Sequence, residues 1–203
     1  MKYFFLVLLF WTKSLLIFGQ NSNSVSRIID SLYFEDQKWR GLIRQINNKE
    51  NDTISKEFVL RKIRQTDSLN YLNIRRIFYE IGYPNITKVG ETSFHNFWTL
   101  VQHADKYPLF QDSVLTIMKV ELREGNVQNN DYAYLVDRVK VNLGQKQIYG
   151  TQMRINVSQD SYEPLPVAEP ENLDDRRREM NLPPMKYYIN AMNERYFGTL
   201  KKD

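Results

Sequence analysis

Polar side chains that could perform acid–base chemistry are concentrated between Trp98 and Gln152. His103 is one of only two histidines in the chain, and Asp105 follows two residues later. A histidine oriented by a carboxylate is a common general base, so His103 and Asp105 form the candidate catalytic pair. The alternative is structural, because both residues lie near a predicted helix end, where side chains often bond the loose backbone groups.

Further polar residues recur in three later segments and form the candidate ligand-binding set. Because an unpaired buried polar group costs about 1–3 kcal/mol, they must form either a site or an internal network. The planar guanidinium of Arg138 suits an anionic group. The run Arg176–Arg178 indicates either a solvated helix face or a phosphate contact. The full candidate set is Gln102, Asp137, Arg138, Gln147, Tyr149, Gln152, Asp174, Arg176 and Arg177.

Metal and cofactor chemistry has little support in the sequence. A metal set of His103, Asp105, Asp137 and Asp174 would require an assumed fold, since the chain has no second histidine at helical spacing and no cysteine. There is no Gly-rich phosphate loop, no G-x-S-x-G motif and no H-E-x-x-H motif. We therefore predict no metal and no cofactor.

The first nineteen residues have the features of a secretory signal peptide. A single early lysine, Lys2, precedes a short apolar block, and Gly19 offers a small residue for cleavage. The block is shorter than a membrane span and is interrupted by Lys13, so we expect export to the periplasm or the medium and no stable membrane span after cleavage. Loss of both lysines lowers the formal net charge from +4 to +2. A net charge this close to zero does not predict a basic surface for nucleic acid. The sequence also indicates no protein partner.

Periodicity predicts a mainly α, single-domain bundle of about six to seven helices with one small β-hairpin. Apolar spacing predicts helices over 24–47, 54–81, 92–105, 108–124, 130–143 and 184–197, with another beginning after Asn172. The charges of the first two helices look like solvated faces. Alternation over 147–157 predicts a strand, and 162–167 a proline-limited partner. The resulting domains are a signal peptide at 1–19, an N-terminal helical region at 20–53 and a helical domain at 54–203 with its hairpin near 147–167.

Four separated motifs resemble a family of bacterial proteins classed as a domain of unknown function. They are Val101-Gln102-His103-Ala104-Asp105, Tyr134-Leu135-Val136-Asp137-Arg138-Val139, Gln147-Ile148-Tyr149-Gly150-Thr151-Gln152, and Asp174-Asp175-Arg176-Arg177 with Leu182-Pro183. The resemblance covers roughly residue 54 to the C-terminus and implies a mainly helical domain, often behind a signal peptide, without an assigned reaction. Two positions depart from the family: Tyr107 replaces an Asp, and Asn181 replaces a Gly at a helix end that tolerates Asn.

Two functions remain open on this sequence. In the first, the motif residues line one cleft that binds, and can hydrolyse, a small polar or anionic ligand: His103 is the base, Asp105 its orienter, Arg138 the anion contact, and Tyr149 and Gln152 the positioning groups. In the second, the protein is a non-enzymatic exported interaction domain and the same residues form an internal hydrogen-bond network. A concave polar pocket would favour the first.

Overall fold

The computed structural model describes residues 3–51, 53–158 and 160–198, and the side chains among them from residue 23 onward. This part of the chain contains eight α-helices and one two-stranded antiparallel sheet, which confirms the predicted fold class. In chain order the elements are α1 Tyr3–Asn47, α2 Lys56–Ile81, α3 Ile86–Val89, α4 Glu91–Gln102, α5 Pro108–Arg123, α6 Asn129–Asn142, β1 Met153–Asn156, β2 Ser161–Pro164, α7 Leu173–Glu179 and α8 Met185–Phe197.

The first of two compact units comprises residues 1–104. Helices α1, α2 and α4 pack against one another through the apolar stripes that the periodicity predicts, with Ile29, Ile74 and Phe97 fully buried. The Ser55 hydroxyl caps α2 by accepting a hydrogen bond from the backbone N–H of Phe58. α2 thus lies in this unit beside α1.

The second unit comprises residues 105–203 and is built around the pair α5 and α6. The β-hairpin and the two C-terminal helices complete it, with β2 contacting α8 and α7 contacting α8. Asn181, just beyond α7, has φ +54°, which is the left-handed conformation expected where relatives carry Gly. Tyr107 gives α5 no side-chain cap, as its substitution for Asp implies.

The predicted strand over 147–157 is only partly correct. β1 covers Met153–Asn156 and pairs with β2 from Met153↔Pro164 to Asn156↔Ser161, while the preceding residues form a loop. The backbone N–H groups of Ile148, Tyr149 and Thr151 bond a buried carboxylate instead of a neighbouring strand. Gly150 within it has φ +68°, and a Cβ there would lie 3.2 Å from the Met185 sulfur, so this glycine permits a close approach.

Two of the predictions concern the signal peptide and membrane spans. The predicted signal peptide, residues 1–19, lies outside the residues whose side chains the structure describes. Over the described residues, no helix has a segment that is both long enough and apolar enough to span a bilayer.

Candidate functional site

His103 forms an acid–base pair with a carboxylate that the sequence did not identify. The residue caps the C-terminus of α4, and its Nδ1 lies 2.9 Å from Oδ1 of Asp36 on α1. The Asp36 side chain has no exposed surface, whereas that of His103 is 20% exposed. The other carboxylate oxygen, Oδ2, accepts a hydrogen bond of 2.8 Å from Gln37 Nε2. The partner of His103 is thus Asp36 in place of the predicted Asp105.

Arg40 lies one helical turn beyond Asp36 and joins this pair to a second carboxylate. Its Nη2 donates to Asp67 Oδ1 at 2.9 Å, and its Nε lies 3.5 Å from Asp36 Oδ1. The same Nε is 3.1 Å from His103 Nδ1 and 3.3 Å from Nε2. Because these two distances are nearly equal, the guanidinium lies over the face of the imidazole ring. The lone pairs of the ring nitrogens lie in the ring plane, so they do not point at the guanidinium. We name Asp36, Arg40, Asp67 and His103 the His103 cluster.

The electrostatics of the His103 cluster are dominated by its two carboxylates. Burial raises the pKa of Asp67 above its ordinary value, and the nearby charges of Arg40 and His103 oppose that shift only in part. With a neutral imidazole the cluster carries two negative charges and one positive charge.

Sequence reasoning missed Asp36, Arg40 and Asp67 because it assigned the charges of the first two helices to solvated faces. The interpretation is wrong for Asp36, which is buried. One signal was available: Asp36 and Arg40 are four residues apart, the spacing at which helical side chains meet. That spacing alone does not separate a surface pair from a buried one.

Asp105 takes part in a different interaction, within the second unit. Arg138 donates from Nε to Oδ1 and from Nη2 to Oδ2, each at 2.7 Å, in a bidentate pair. Asn142, one turn further along α6, donates to Oδ1 at 2.9 Å and also contacts Gln111 Oε1 at 3.3 Å. Burial alone would raise the pKa of Asp105, but the hydrogen bonds and charge of Arg138, with Asn142 and Gln111, hold it below 3.8. The charge of Arg138 is thus already neutralised, which weakens its predicted role as an anion contact.

Asp137, the neighbour of Arg138 on α6, has no exposed surface and organises the loop before β1. Its Oδ1 accepts hydrogen bonds from the N–H groups of Ile148 at 2.6 Å and Tyr149 at 2.9 Å. Its Oδ2 accepts from the N–H of Thr151 at 2.8 Å and from the Thr151 hydroxyl at 2.9 Å. Four donors leave this carboxylate without capacity for a ligand. We name residues 147–152 the Asp137 loop.

Gln147 closes the Asp137 loop through its amide. Its Oε1 accepts from the N–H of Gln152 at 2.9 Å, and its Nε2 donates to the carbonyls of Gln152 and Leu165 at 3.0 and 2.7 Å. The side-chain amide of Gln152 donates to the Thr151 hydroxyl at 3.1 Å. The Gln147 side chain is fully buried, so it ties the loop to β2 and is closed to a ligand.

Two arginines of α7 bind the carbonyl side of the same loop. Arg176 donates from Nε to the Ile148 carbonyl at 2.9 Å, and Arg177 donates from Nη1 to the Tyr149 carbonyl at 2.6 Å. Arg177 is 1% exposed, and its guanidinium lies 5.0 Å from the ring centre of Tyr188. Desolvation lowers its pKa. The interpretation of this run as a solvated face holds for Arg178, which pairs with Asp175 on the surface, and is wrong for Arg177.

The remaining predicted residues are dispersed. Tyr149 is half-buried, and burial together with nearby Tyr132 and Asp137 raises the pKa of its hydroxyl. Asp174 accepts a hydrogen bond of 2.7 Å from the backbone N–H of Met185 at the start of α8. Gln102 is the half-buried last residue of α4. Over the part of the chain that the structure describes, no three His, Cys, Asp or Glu side chains are grouped as metal ligands.

We expect Asp137→Asn to destabilise the second unit strongly. An amide replaces one acceptor oxygen by a donor, which leaves buried N–H groups of the loop unbonded and removes a charge-assisted interaction. The unfolding free energy should fall by about 3 kcal/mol, or roughly 6–12 °C in midpoint. Hydrogen exchange at the amides of Ile148, Tyr149 and Thr151 should accelerate. Asp175→Asn is the matched control, because its carboxylate makes only a surface pair and should change stability by less than about 0.5 kcal/mol.

The Asp105–Arg138 pair should contribute stability in a pH-dependent manner. A carboxyl group with a lowered folded-state pKa stabilises the fold above its unfolded value of 3.8, and this contribution disappears as the pH falls through the folded-state pKa. Because the Asp105 side chain is 45% exposed, the contribution is small, about 1 kcal/mol or less. A double-mutant cycle of Asp105→Asn and Arg138→Gln should give an interaction energy at pH 6 that vanishes toward pH 2. An interaction energy unchanged across that range would contradict the assignment.

Comparison with known proteins identifies the family and nothing more specific. No curated protein and no solved structure matches the chain. The profile described as "Family of unknown function (DUF6624)" matches residues 32–201, which includes all four sequence motifs and also Asp36, Arg40 and Asp67. Since the match spans most of the 203 residues, the chain belongs to this family of unknown function, DUF6624.

Proposed function

We propose that the protein is an exported bacterial protein that binds a small polar ligand at the His103 cluster and hydrolyses it, with His103 as general base. The observation that carries this proposal is the 2.9 Å contact between His103 Nδ1 and the buried Asp36 carboxylate. A carboxylate at Nδ1 fixes the ring orientation and the tautomer, as in other sites where histidine acts as a base.

The proton path follows from this arrangement. Nδ1–H donates to Asp36, so the lone pair of Nε2 is the proton acceptor. Asp36 contacts Nδ1 of the imidazole, and Arg40 lies over its face. Nε2 would take a proton from water while the water oxygen bonds to the carbonyl carbon of an ester or amide ligand. The imidazolium would then give this proton to the leaving alcohol or amine as its bond to that carbon breaks. Asp36 would stabilise the imidazolium that forms.

The charge of the His103 cluster restricts the ligand that it suits. Two carboxylates and one guanidinium leave a net negative charge beside a neutral imidazole. An anionic ligand would be repelled there, whereas a neutral or cationic polar group would not. The ligand class for this cluster is therefore narrower than the polar or anionic class expected from sequence.

Export rests on the composition of residues 1–19, and its test is independent of any ligand. Expressed with its full N-terminus in a Gram-negative bacterium, the protein should be recovered from the periplasm or medium. Its intact mass should correspond to a chain that begins at Gln20. Recovery only in the cytoplasm at the full-length mass would contradict export. The acid–base proposal would be unaffected by that result.

The chain offers a matched control for the acid–base test, because its only other histidine, His95, is an exposed residue of the same helix stacked on Trp98. We expect the mature protein to accelerate hydrolysis of a neutral chromogenic ester or amide within a panel that includes anionic phosphodiesters. His103→Gln should remove the acceleration, and Asp36→Asn should reduce it by about 10²–10⁴-fold, the usual contribution of general-base catalysis. His95→Gln should retain the full rate.

Nitrogen-15 spectra of the His103 ring provide a second readout that needs no substrate. The neutral ring should carry its proton on Nδ1 in the parent protein and in His95→Gln, and this preference should weaken in Asp36→Asn. If hydrolysis is insensitive to His103→Gln, or if the folded parent protein hydrolyses nothing in the panel, the enzymatic proposal is wrong.

The second candidate is a non-enzymatic interaction domain, and one observation favours it. The polar groups of Asp137 and Gln147 and the donor groups of Arg176 and Arg177 are bonded mostly to backbone. Three of the four family motifs thus include residues that support the fold. If the folded protein is inactive on the whole panel, the non-enzymatic interaction domain is the candidate that remains.

A further inference from the structure

The second unit contains a groove between α5 and α6 that has the dimensions of a small-molecule site. None of the residues that line it belongs to the His103 cluster. Its volume is about 420 Å³, which falls within the range of ligand pockets. The floor is apolar and includes Leu115, Val139 and Leu143. Leu143, at the end of α6, is 42% exposed, so part of this apolar surface is open to solvent.

The rim of the groove carries more positive than negative charge. Lys119 and Lys140 line it, and Asp112 is the acidic residue beside them. Across the described residues, neither lysine forms an ion pair with a carboxylate, and Lys140 Nζ makes only a long contact of 3.4 Å with Gln145 Oε1. Tyr132 adds a hydroxyl whose pKa is raised by burial and by Asp112, so it is a hydrogen-bond donor.

We infer that this groove binds a small amphipathic anion, namely a carboxylate that carries a short aliphatic body. The apolar floor would bury the aliphatic chain, and the two lysines would face the carboxylate. This site differs in charge from the His103 cluster, where an anion is disfavoured. It could fail without affecting the proposed acid–base function, because none of its residues belongs to that cluster.

Octanoate is the probe that tests this inference, with two partial ligands as comparisons. Acetate has the carboxylate without the chain, and octanol has the chain without the charge. In proton–nitrogen spectra of the mature protein, octanoate should shift the amides of α5 and α6 around the groove and saturate with a Kd on the order of 1 mM. Octanol should bind more weakly, acetate should produce no saturable shift, and 0.5 M salt should weaken octanoate binding.

Variants on the rim separate charge recognition from simple apolar binding. Lys119→Gln with Lys140→Gln should raise the Kd for octanoate by about fivefold to tenfold. Asp112→Asn should lower it, because it removes the one opposing charge. The control is Lys106→Gln with Lys146→Gln, which makes the same change in net charge at two exposed lysines outside the groove lining.

Three results would overturn the inference. The first is the absence of saturable shifts at the groove with octanoate. The second is equal binding of octanoate and octanol, which would leave an apolar groove without charge selection. The third is an equal rise in the Kd for octanoate with the rim pair and with the control pair of lysine substitutions. The effect would then depend only on the net charge of the protein.

Discussion

The buried carboxylate of Asp137 is the interaction on which the second unit depends. It binds the N–H side of the loop at residues 147–152, while Arg176 and Arg177 bind the carbonyls of Ile148 and Tyr149. The peptide groups of the loop therefore lie between an anion and two cations, and each hydrogen bond polarises the next. The burial of a full negative charge and of the Arg177 guanidinium is tolerable only because this network is complete.

The helices could be predicted from the sequence and the Asp137 loop could not, for a physical reason. Amphipathic spacing reflects burial against neighbouring helices, and the bounds that it predicts for α2, α5 and α8 lie within two residues of those observed. Alternation over 147–157 predicts a strand, but in the loop wrapped around the carboxylate the buried residues are Gln147, Gly150 and Thr151, which do not alternate. Whether an N–H group pairs with a strand or with a side chain depends on tertiary contacts that no local pattern contains.

The partners of His103 were hidden by distance along the chain. Asp36 precedes His103 by 67 residues, and α1 carries so many charges that the spacing of Asp36 and Arg40 does not distinguish the one buried carboxylate among them. Asp105, two residues away, was the reasonable choice from proximity. The bidentate bonds from Arg138 explain why Asp105 is occupied elsewhere, and they show that motif residues adjacent in sequence can serve different units.

The polar atoms of Asp137 and of His103 differ in their surroundings. This difference supports a structural role for Asp137 and the proposed chemical role for His103. Around Asp137, both carboxylate oxygens accept hydrogen bonds from the loop, and the side chain has no exposed surface. Around His103, two carboxylates face one guanidinium, and part of the imidazole surface is open to solvent. In the proposed function, His103 is oriented by the buried Asp36 carboxylate and takes a proton from water at the solvent-exposed part of its ring.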